Sequence, residues 1–229
     1  MPEQRTEQAP NRFARRRAAT RRALLDAARR ILAEDGAGDI SIQRIAERAD
    51  VGFGSFYNHF SSKAELFNAA VGEALEDYGR ELDTVAGPLA DPAEKFAASV
   101  RLTIAMVRSH PELMRVLRHG GLRQVHTGHG LAPRVLRDIE RGLDAGRFAV
   151  DEPVVALSAA CGALLGLIDL RLRDADGTGP GGADPGGGAP GDGERMAALL
   201  LRMLGVPVPE ADEIARRPLP GAPPRSPRG

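Results

Sequence analysis

One cysteine, Cys161, among 229 residues rules out an intramolecular disulfide, and with it any sign of an oxidising compartment. Met1 to Pro10 is polar and lacks the apolar core of a signal peptide. The longest apolar stretch, Val154 to Ile168, is flanked by Glu152 and Asp169. It falls short of the roughly 18 to 20 residues that a bilayer span needs. These absences predict a soluble, cytoplasmic protein with no membrane partner. Strands are missing too, since no segment alternates apolar and polar residues with period two. So are catalytic signatures: there is no Gly-x-Ser-x-Gly elbow, and Gly177 to Gly193 has neither the lysine nor the flanking strand of a phosphate-binding loop. His126-Thr-Gly-His129 offers two imidazoles in a glycine loop without cysteine partners, a poor metal set. Cys161 sits in an apolar run, where a packed, inert thiol is expected. No enzyme, cofactor or metal is expected.

Net charge is also lacking, with 31 basic and 31 acidic residues, but the balance hides an asymmetry. Between Arg12 and Arg30 stand eight arginines and one acid, Asp26. Such a stripe is either a solvated helix face or a footprint for phosphates. What the chain does have is 42% apolar residues, enough to build a core, arranged almost throughout with helical period. Ala23, Leu24, Ala27, Ala28, Ile31 and Leu32 line a first helix, and Ser41 caps a second with Ile42, Ile45, Ala46 and Ala49 inward. A third helix ends at Phe60, and Ser61 or Ser62 caps a fourth from Lys63. Asp91-Pro92 opens another helix, which His110-Pro111 breaks. A short helix spans Glu112 to His119, with Gly120 to Gly130 as a loop. Pro133 to Gly146, Asp151 to about Arg173 and Glu194 to Leu204 complete the helices.

The fold class predicted is all-α. A basic, disordered arm spans 1–16 and a three-helix DNA-binding domain spans 17–64. A helical ligand-binding and dimerisation domain spans 65–204, with a flexible Gly/Pro insert at 174–193, and a disordered proline-rich tail spans 205–229. The segment Ser41 to Phe60 has the layout of a helix-turn-helix. Small Ala46 stands where two helices must cross, Asp50 where the turn needs unusual dihedrals, and Val51 and Phe56 where the helices lock. From Ser41-Ile-Gln-Arg-Ile-Ala through Ala-Asp-Val and Gly54-Ser-Phe-Tyr-Asn-His-Phe60 to Ser62-Lys-Ala-Glu-Leu66, the chain closely resembles the TetR family of transcriptional regulators. The resemblance implies phosphate contacts from Ser41, Tyr57, His59 and Lys63, and a backbone or guanine contact from Arg44. It implies base contacts from Gln43 and Asn58, and groove insertion of Gly52, Phe53, Gly54 and Ser55. Two residues depart from the family pattern. Gly52 offers no capping hydroxyl, and Phe53 offers only apolar contact, for example to a thymine methyl.

A ligand-independent architectural DNA-binding protein is the rival reading, and the size of the second region, Leu66 to Leu204, argues against it. Phe96, Met106, Leu113, Met114, Leu117 and Phe148 are candidates for the walls of an apolar effector cavity or for ordinary core. One helix-turn-helix contacts too few bases for typical specific affinity, which predicts a homodimer on a palindromic double-stranded operator. Ala156, Ala159, Ala160, Ala163, Leu164 and Leu167, with Met196 and Leu200, are the interface candidates. The resemblance implies a four-helix dimer interface and a repressor released by a small-molecule effector.

Overall fold

The computed structural model describes residues 12–34, 40–124, 131–179 and 191–220. Every regular element among them is an α-helix: α1 (Arg12–Glu34), α2 (Ile42–Arg48), α3 (Phe53–Phe56), α4 (Lys63–Ala86), α5 (Pro92–Ser109), α6 (Pro111–Gln124), α7 (Ala132–Asp144), α8 (Pro153–Ala175), α9 (Asp192–Met203) and α10 (Val208–Arg216). The chain divides into two compact units, residues 1–70 and 71–229, with the boundary falling within α4.

In the first unit the apolar positions of α1 and α2 form a small core. Leu24, Leu25, Ala27, Ala28, Ile31 and Leu32 of α1 are buried, as are Ile45 and Ala46 of α2. Phe56 and Phe60 close it from the segment that follows. α1 begins at Arg12, so Arg12, Arg15 and Arg16, expected in a disordered arm, are helical. Residues 1–11 lie outside the described region.

The second unit is built on α5, which packs against α9, α7, α8, α6 and α10. Asp91 caps α5 through Ala93 N–H at 3.0 Å, with Pro92 in the first turn, as the Asp-Pro pair predicts. Phe96, Val100, Ile139, Phe148, Leu157, Leu200 and Leu201 meet in its main core. Burial on this scale, about 1.5–3 kcal/mol per large side chain, is the main term holding the unit together.

Four expectations need correction. Gly120 and Gly121 are helical, and α6 runs on to Gln124, because both glycines face close neighbours and not a turn. A Cβ on Gly120 would stand 2.6 Å from Val71 Cγ2, and one on Gly121 would stand 3.1 Å from Leu165 Cδ2. The glycines permit close helix approach. The cap of α8 is Glu152 and not Asp151, and its side chain makes no capping bond. The insert is shorter than 174–193, since Asp174 and Ala175 continue α8, and Asp192 and Gly193 begin α9. Buried Asp174 and Asp192 both grip Arg171, at 2.7 and 2.6 Å, which ties the two ends of the insert together. Residues 180–190 lie outside the described region.

The fourth correction is α10, in a stretch expected to be a disordered tail. Its prolines sit where a helix tolerates them: Pro207 is the cap and Pro209 lies in the first turn. Ala211, Ile214 and Ala215 are buried. Arg147 joins Asp91 at 2.9 Å to Glu210 at 2.7 Å, and buried Arg101 donates to the Arg217 carbonyl at the other end. Only residues 221–229 of the expected tail lie outside the described region.

Gly142 gives the sharpest packing test, because a Cβ there would stand 2.0 Å from the Phe148 ring. Gly142→Ala is expected to cost about 1–3 kcal/mol through overpacking. A thermal melt should show Tm lower by several degrees, and an unchanged melt would contradict the packing described.

Candidate functional site

The first unit places a short helix, a turn and a second, shorter helix in sequence. Ser41 is extended at φ −78° and ψ 153°, and its Oγ accepts the Arg44 N–H at 3.2 Å, capping α2. Asp50 adopts the left-handed region at φ 54°, which aspartate tolerates better than most residues. Val51 N–H then bonds back to the Ala46 carbonyl at 3.0 Å, closing the turn. α3 is only four residues long, and Gly52 makes no side-chain capping bond. The helix expected to reach Phe60 gives way at Tyr57 to turns, in which Asn58 N–H bonds Ser55 O and His59 N–H bonds Phe56 O. Glycine at 52 and 54 lowers the helix propensity of so short a segment.

Packing divides these residues by role. Ile45, Ala46, Ala49, Phe56 and Phe60 are buried, while Gln43, Arg44, Phe53, Gly54, Tyr57 and Asn58 are exposed. Ser55, His59 and Lys63 are half-buried. Phe53 and Tyr57 are large and more than half exposed, at 53% and 54%. A stable core gains nothing from leaving such rings in water, so they are available to a partner. Tyr57 stands edge-on to Phe53 and Phe56, with ring centroids 5.8 and 5.4 Å away. Gln43 spends one amide hydrogen on Glu47, at 3.1 Å. Lys63 donates to the Ile40 carbonyl at 3.1 Å, so it secures the approach to α2.

Two residues missing from the sequence-based site belong beside it. Arg17 donates to the Asn58 carbonyl at 3.5 Å, and the Arg21 guanidinium lies over the Phe60 ring, 5.4 Å from its centroid. The arginine stripe announced positive charge, but which arginines face the recognition segment depends on how α1 packs. Burial, then Arg17 and Arg21, hold the His59 imidazole below its ordinary value.

The second unit contains two cavities that share Thr103, Leu131, Cys161 and Leu164 as walls. Each measures about 70 Å³, well above the roughly 10–15 Å³ that a single water requires. Of the residues proposed as cavity walls, Phe96 lines the first and Leu117 the second. Met106, Met114 and Phe148 are buried elsewhere in the core, and Leu113 is half-buried outside both linings. The first cavity also has Asp83, Lys95, Arg134 and Asp138 in its lining. Arg134 is bonded to Glu76 at 2.8 Å and Asp83 at 2.9 Å, and Lys95 to Asp138 at 3.0 Å. Between the cavities, Thr103 donates to the Ser99 carbonyl at 2.7 Å. The Tyr78 hydroxyl must therefore donate to Thr103 Oγ1, 2.6 Å away. Burial pushes the Cys161 thiol up to about 11, so it is a protonated wall group. No group of three or more His, Cys, Asp or Glu among the described residues could hold a metal ion, and His126 and His129 lie outside them.

α8 is apolar over most of its length and, by length and composition alone, long enough to cross a membrane, which the sequence reading did not anticipate. Ala156, Leu157, Ala160, Ile168 and Leu172 point into the protomer core. Val155, Ala159, Gly162 and Gly166, spaced three and four apart, form an exposed stripe. Nothing lies within 4 Å of a Cβ built on Gly162 or Gly166. On α9, Leu199 and Met203 are exposed while Leu200 is buried. Of the interface candidates, then, Ala156, Ala160 and Leu200 serve the protomer's own core. Ala159 is exposed, and Ala163, Leu164, Leu167 and Met196 are half-buried.

Comparison with known proteins places this arrangement. Residues 24–70 match the bacterial regulatory proteins of the tetR family, and residues 91–217 match the tetracyclin repressor-like C-terminal domain. The chain is similar to RolR, crystallised in complex with the ligand resorcinol, at 33% identity and a TM-score of 0.63, over 90% of this chain and 98% of that one. It is similar to the HTH-type transcriptional repressor AcnR of Corynebacterium efficiens, 31% identical over 60% of this chain and 73% of that protein. It also resembles an HTH-type transcriptional regulator of Mycobacterium tuberculosis, 31% identical over 39% of this chain, but spans only 45% of that relative's length.

The Tyr78–Thr103 pair predicts an asymmetric pair of mutants. Tyr78→Phe removes one hydrogen bond and should cost about 1 kcal/mol. Thr103→Val leaves a buried phenol with no acceptor and should cost more, about 1–3 kcal/mol. Denaturant midpoints for the two variants measure this, and the reverse order would contradict the assigned donor.

Proposed function

Because the chain belongs to the TetR family of bacterial regulatory proteins, we propose that it is a transcriptional repressor that binds a palindromic operator as a homodimer and is released by a small molecule. The observation that carries this reading is the division of the helix-turn-helix. Its apolar residues are spent on a core, while Gln43, Arg44, Phe53, Tyr57 and Asn58 are left in water. On DNA, Ser41, Arg44, Tyr57 and His59 hold phosphates and fix the register. Gln43 and Asn58 present amides to base edges, and Gly52, Gly54 and Ser55 let the backbone approach the groove. Phe53 adds apolar contact. Such a protein acts in the cytoplasm, and nothing in this reading requires catalysis.

The exposed stripe of α8, with Leu199 and Met203 of α9, is the dimer face. Its small residues permit close approach, and a second copy is the partner that covers an identical stripe under two-fold symmetry. Ala163, Leu167 and Met196 lie at its margin. Ala159→Asp adds a charge where the protomer is open, so folding should survive. The variant should sediment as a monomer and lose tight operator binding. A dimeric, tight-binding variant would rule this face out.

The effector occupies the cavities of the second unit. Their apolar walls and small volumes fit a single ring, while Asp83, Arg134 and the Tyr78–Thr103 pair suit hydroxyl groups that both donate and accept. Similarity to a resorcinol-binding protein supports the same class. A ligand that prefers one arrangement of α4, α5 and α7 shifts the population away from the DNA-bound state. In a mobility-shift assay, resorcinol or a related dihydroxybenzene should release operator DNA, while benzene should not. Release by none of a panel of hydroxylated aromatics would return the reading to a ligand-independent architectural protein.

A further inference from the structure

We propose that the second cavity is a donor-selective subsite: Tyr78 and Thr103 offer it only hydrogen-bond acceptors, so it takes a neutral hydroxyl and rejects an ether or a carboxylate. The subsite rests on the effector reading and adds which end of the effector each cavity holds. Both side chains are buried, Tyr78 on α4 at 2% exposure and Thr103 on α5 at 7%. Each hydroxyl has one hydrogen, and both hydrogens are spent in a relay. Tyr78 donates to Thr103 Oγ1 at 2.6 Å, and Thr103 donates to the Ser99 carbonyl at 2.7 Å. Only lone pairs remain to the pair.

The surroundings keep the pair in this state. Burial holds the Tyr78 phenol far above its ordinary value, so it stays protonated. Apolar side chains such as Leu75, Leu117, Leu165 and Ile168 make up most of the remaining lining, with the protonated Cys161 thiol as a weak donor. No charged side chain among the described residues lines this cavity, whereas Asp83, Lys95, Arg134 and Asp138 line the first. A carboxylate here would meet lone pairs and hydrocarbon, with no cation to offset its desolvation. An ether oxygen could be satisfied only by reversing the relay. Thr103 would then turn its hydrogen to Tyr78 and give up the Ser99 carbonyl. A hydroxyl group donates to the pair as it stands.

Size sets where the ends of a one-ring effector lie. Each cavity, at about 70 Å³, is under half of the roughly 150 Å³ of an apolar cavity that holds benzene. A ring therefore spans both, across the partition formed by Thr103, Leu131, Cys161 and Leu164. Leu131 and Leu164 can change rotamer without losing a side-chain hydrogen bond, so they are the parts that yield. One end of the ring then meets Asp83 and Arg134, and the other meets acceptors alone.

Calorimetric titration of the full-length chain with resorcinol, 3-methoxyphenol and 1,3-dimethoxybenzene tests this. The monoether can still place its hydroxyl in the second cavity, but the diether must place an ether there. The wild type should bind 3-methoxyphenol about fivefold or more tighter than 1,3-dimethoxybenzene, the worth of one hydrogen bond. Thr103→Val frees the Tyr78 hydrogen to face the cavity, so that ratio should fall about fivefold. Tyr78→Phe keeps Thr103 as an acceptor and should preserve the ratio. A change in packing alone would weaken both ligands together and leave the ratio unmoved. A wild type that binds the two ethers equally would overturn the subsite while leaving the effector reading intact, and this comparison holds even where Thr103→Val fails to fold. An unmoved ratio in folded Thr103→Val would overturn it too. A wild type that binds none of the three compounds would overturn both the subsite and the effector class.

Discussion

From Val154 to Ile168, α8 is apolar around its circumference save for Ser158, and it can bury only part of that surface inside its own protomer. Ile168, Leu172, Leu157 and Ala160 are used in the core, which leaves Val155, Ala159, Gly162 and Gly166 in water. Soluble proteins rarely leave a continuous apolar stripe of this kind uncovered. In the proposed dimer a second copy supplies the cover with no new sequence, and two-fold symmetry pairs two helix-turn-helices. Each of these reads only a few bases, so the pair is what makes a specific site possible. The proposed dimer and the operator symmetry both rest on that uncovered face.

The second unit leaves room for the proposed ligand while its core remains well packed. Its core around Phe96, Ile139, Phe148 and Leu201 is dense enough that Gly142 admits no methyl group. Beside that core lie two small cavities whose polar groups are already paired, Arg134 with Glu76 and Asp83, and Tyr78 with Thr103. A buried polar group is costly when left unpaired, so a ligand that enters must replace what it displaces. This requirement favours a small molecule with hydroxyl groups over a hydrocarbon. α4 contributes Glu76, Tyr78 and Asp83 to this region and begins, at Lys63, in the DNA-binding unit.

Much of this was legible in the sequence where local chemistry decides the outcome. Ser41 as a cap, Asp50 in a left-handed turn, Asp91-Pro92 as a helix start and His110-Pro111 as a break are all dictated by side chain and backbone within a few residues. The errors came where tertiary packing overrides local preference. Gly120 and Gly121 read as a loop, yet they serve close contacts with Val71 and Leu165, residues distant in the chain. Pro207 and Pro209 read as a disordered tail, yet the helix they open is held by Arg101 and Arg147 from far upstream. At the candidate site, the motif named the helix-turn-helix residues but not Arg17 or Arg21. Their position against Asn58 and Phe60 exists only after α1 has packed. The same holds for Ala156, Ala160 and Leu200, whose inward orientation is set by which face of the helix the core claims.

The most direct measurement of the central claim is selection of binding sites from a random pool of duplexes by the purified chain, followed by footprinting of the enriched sequence. A homodimer with two recognition segments predicts an inverted repeat, with half-sites about one helical turn apart and protection symmetric about the centre. An asymmetric site protected by a single protomer, or no enrichment at all, would contradict it.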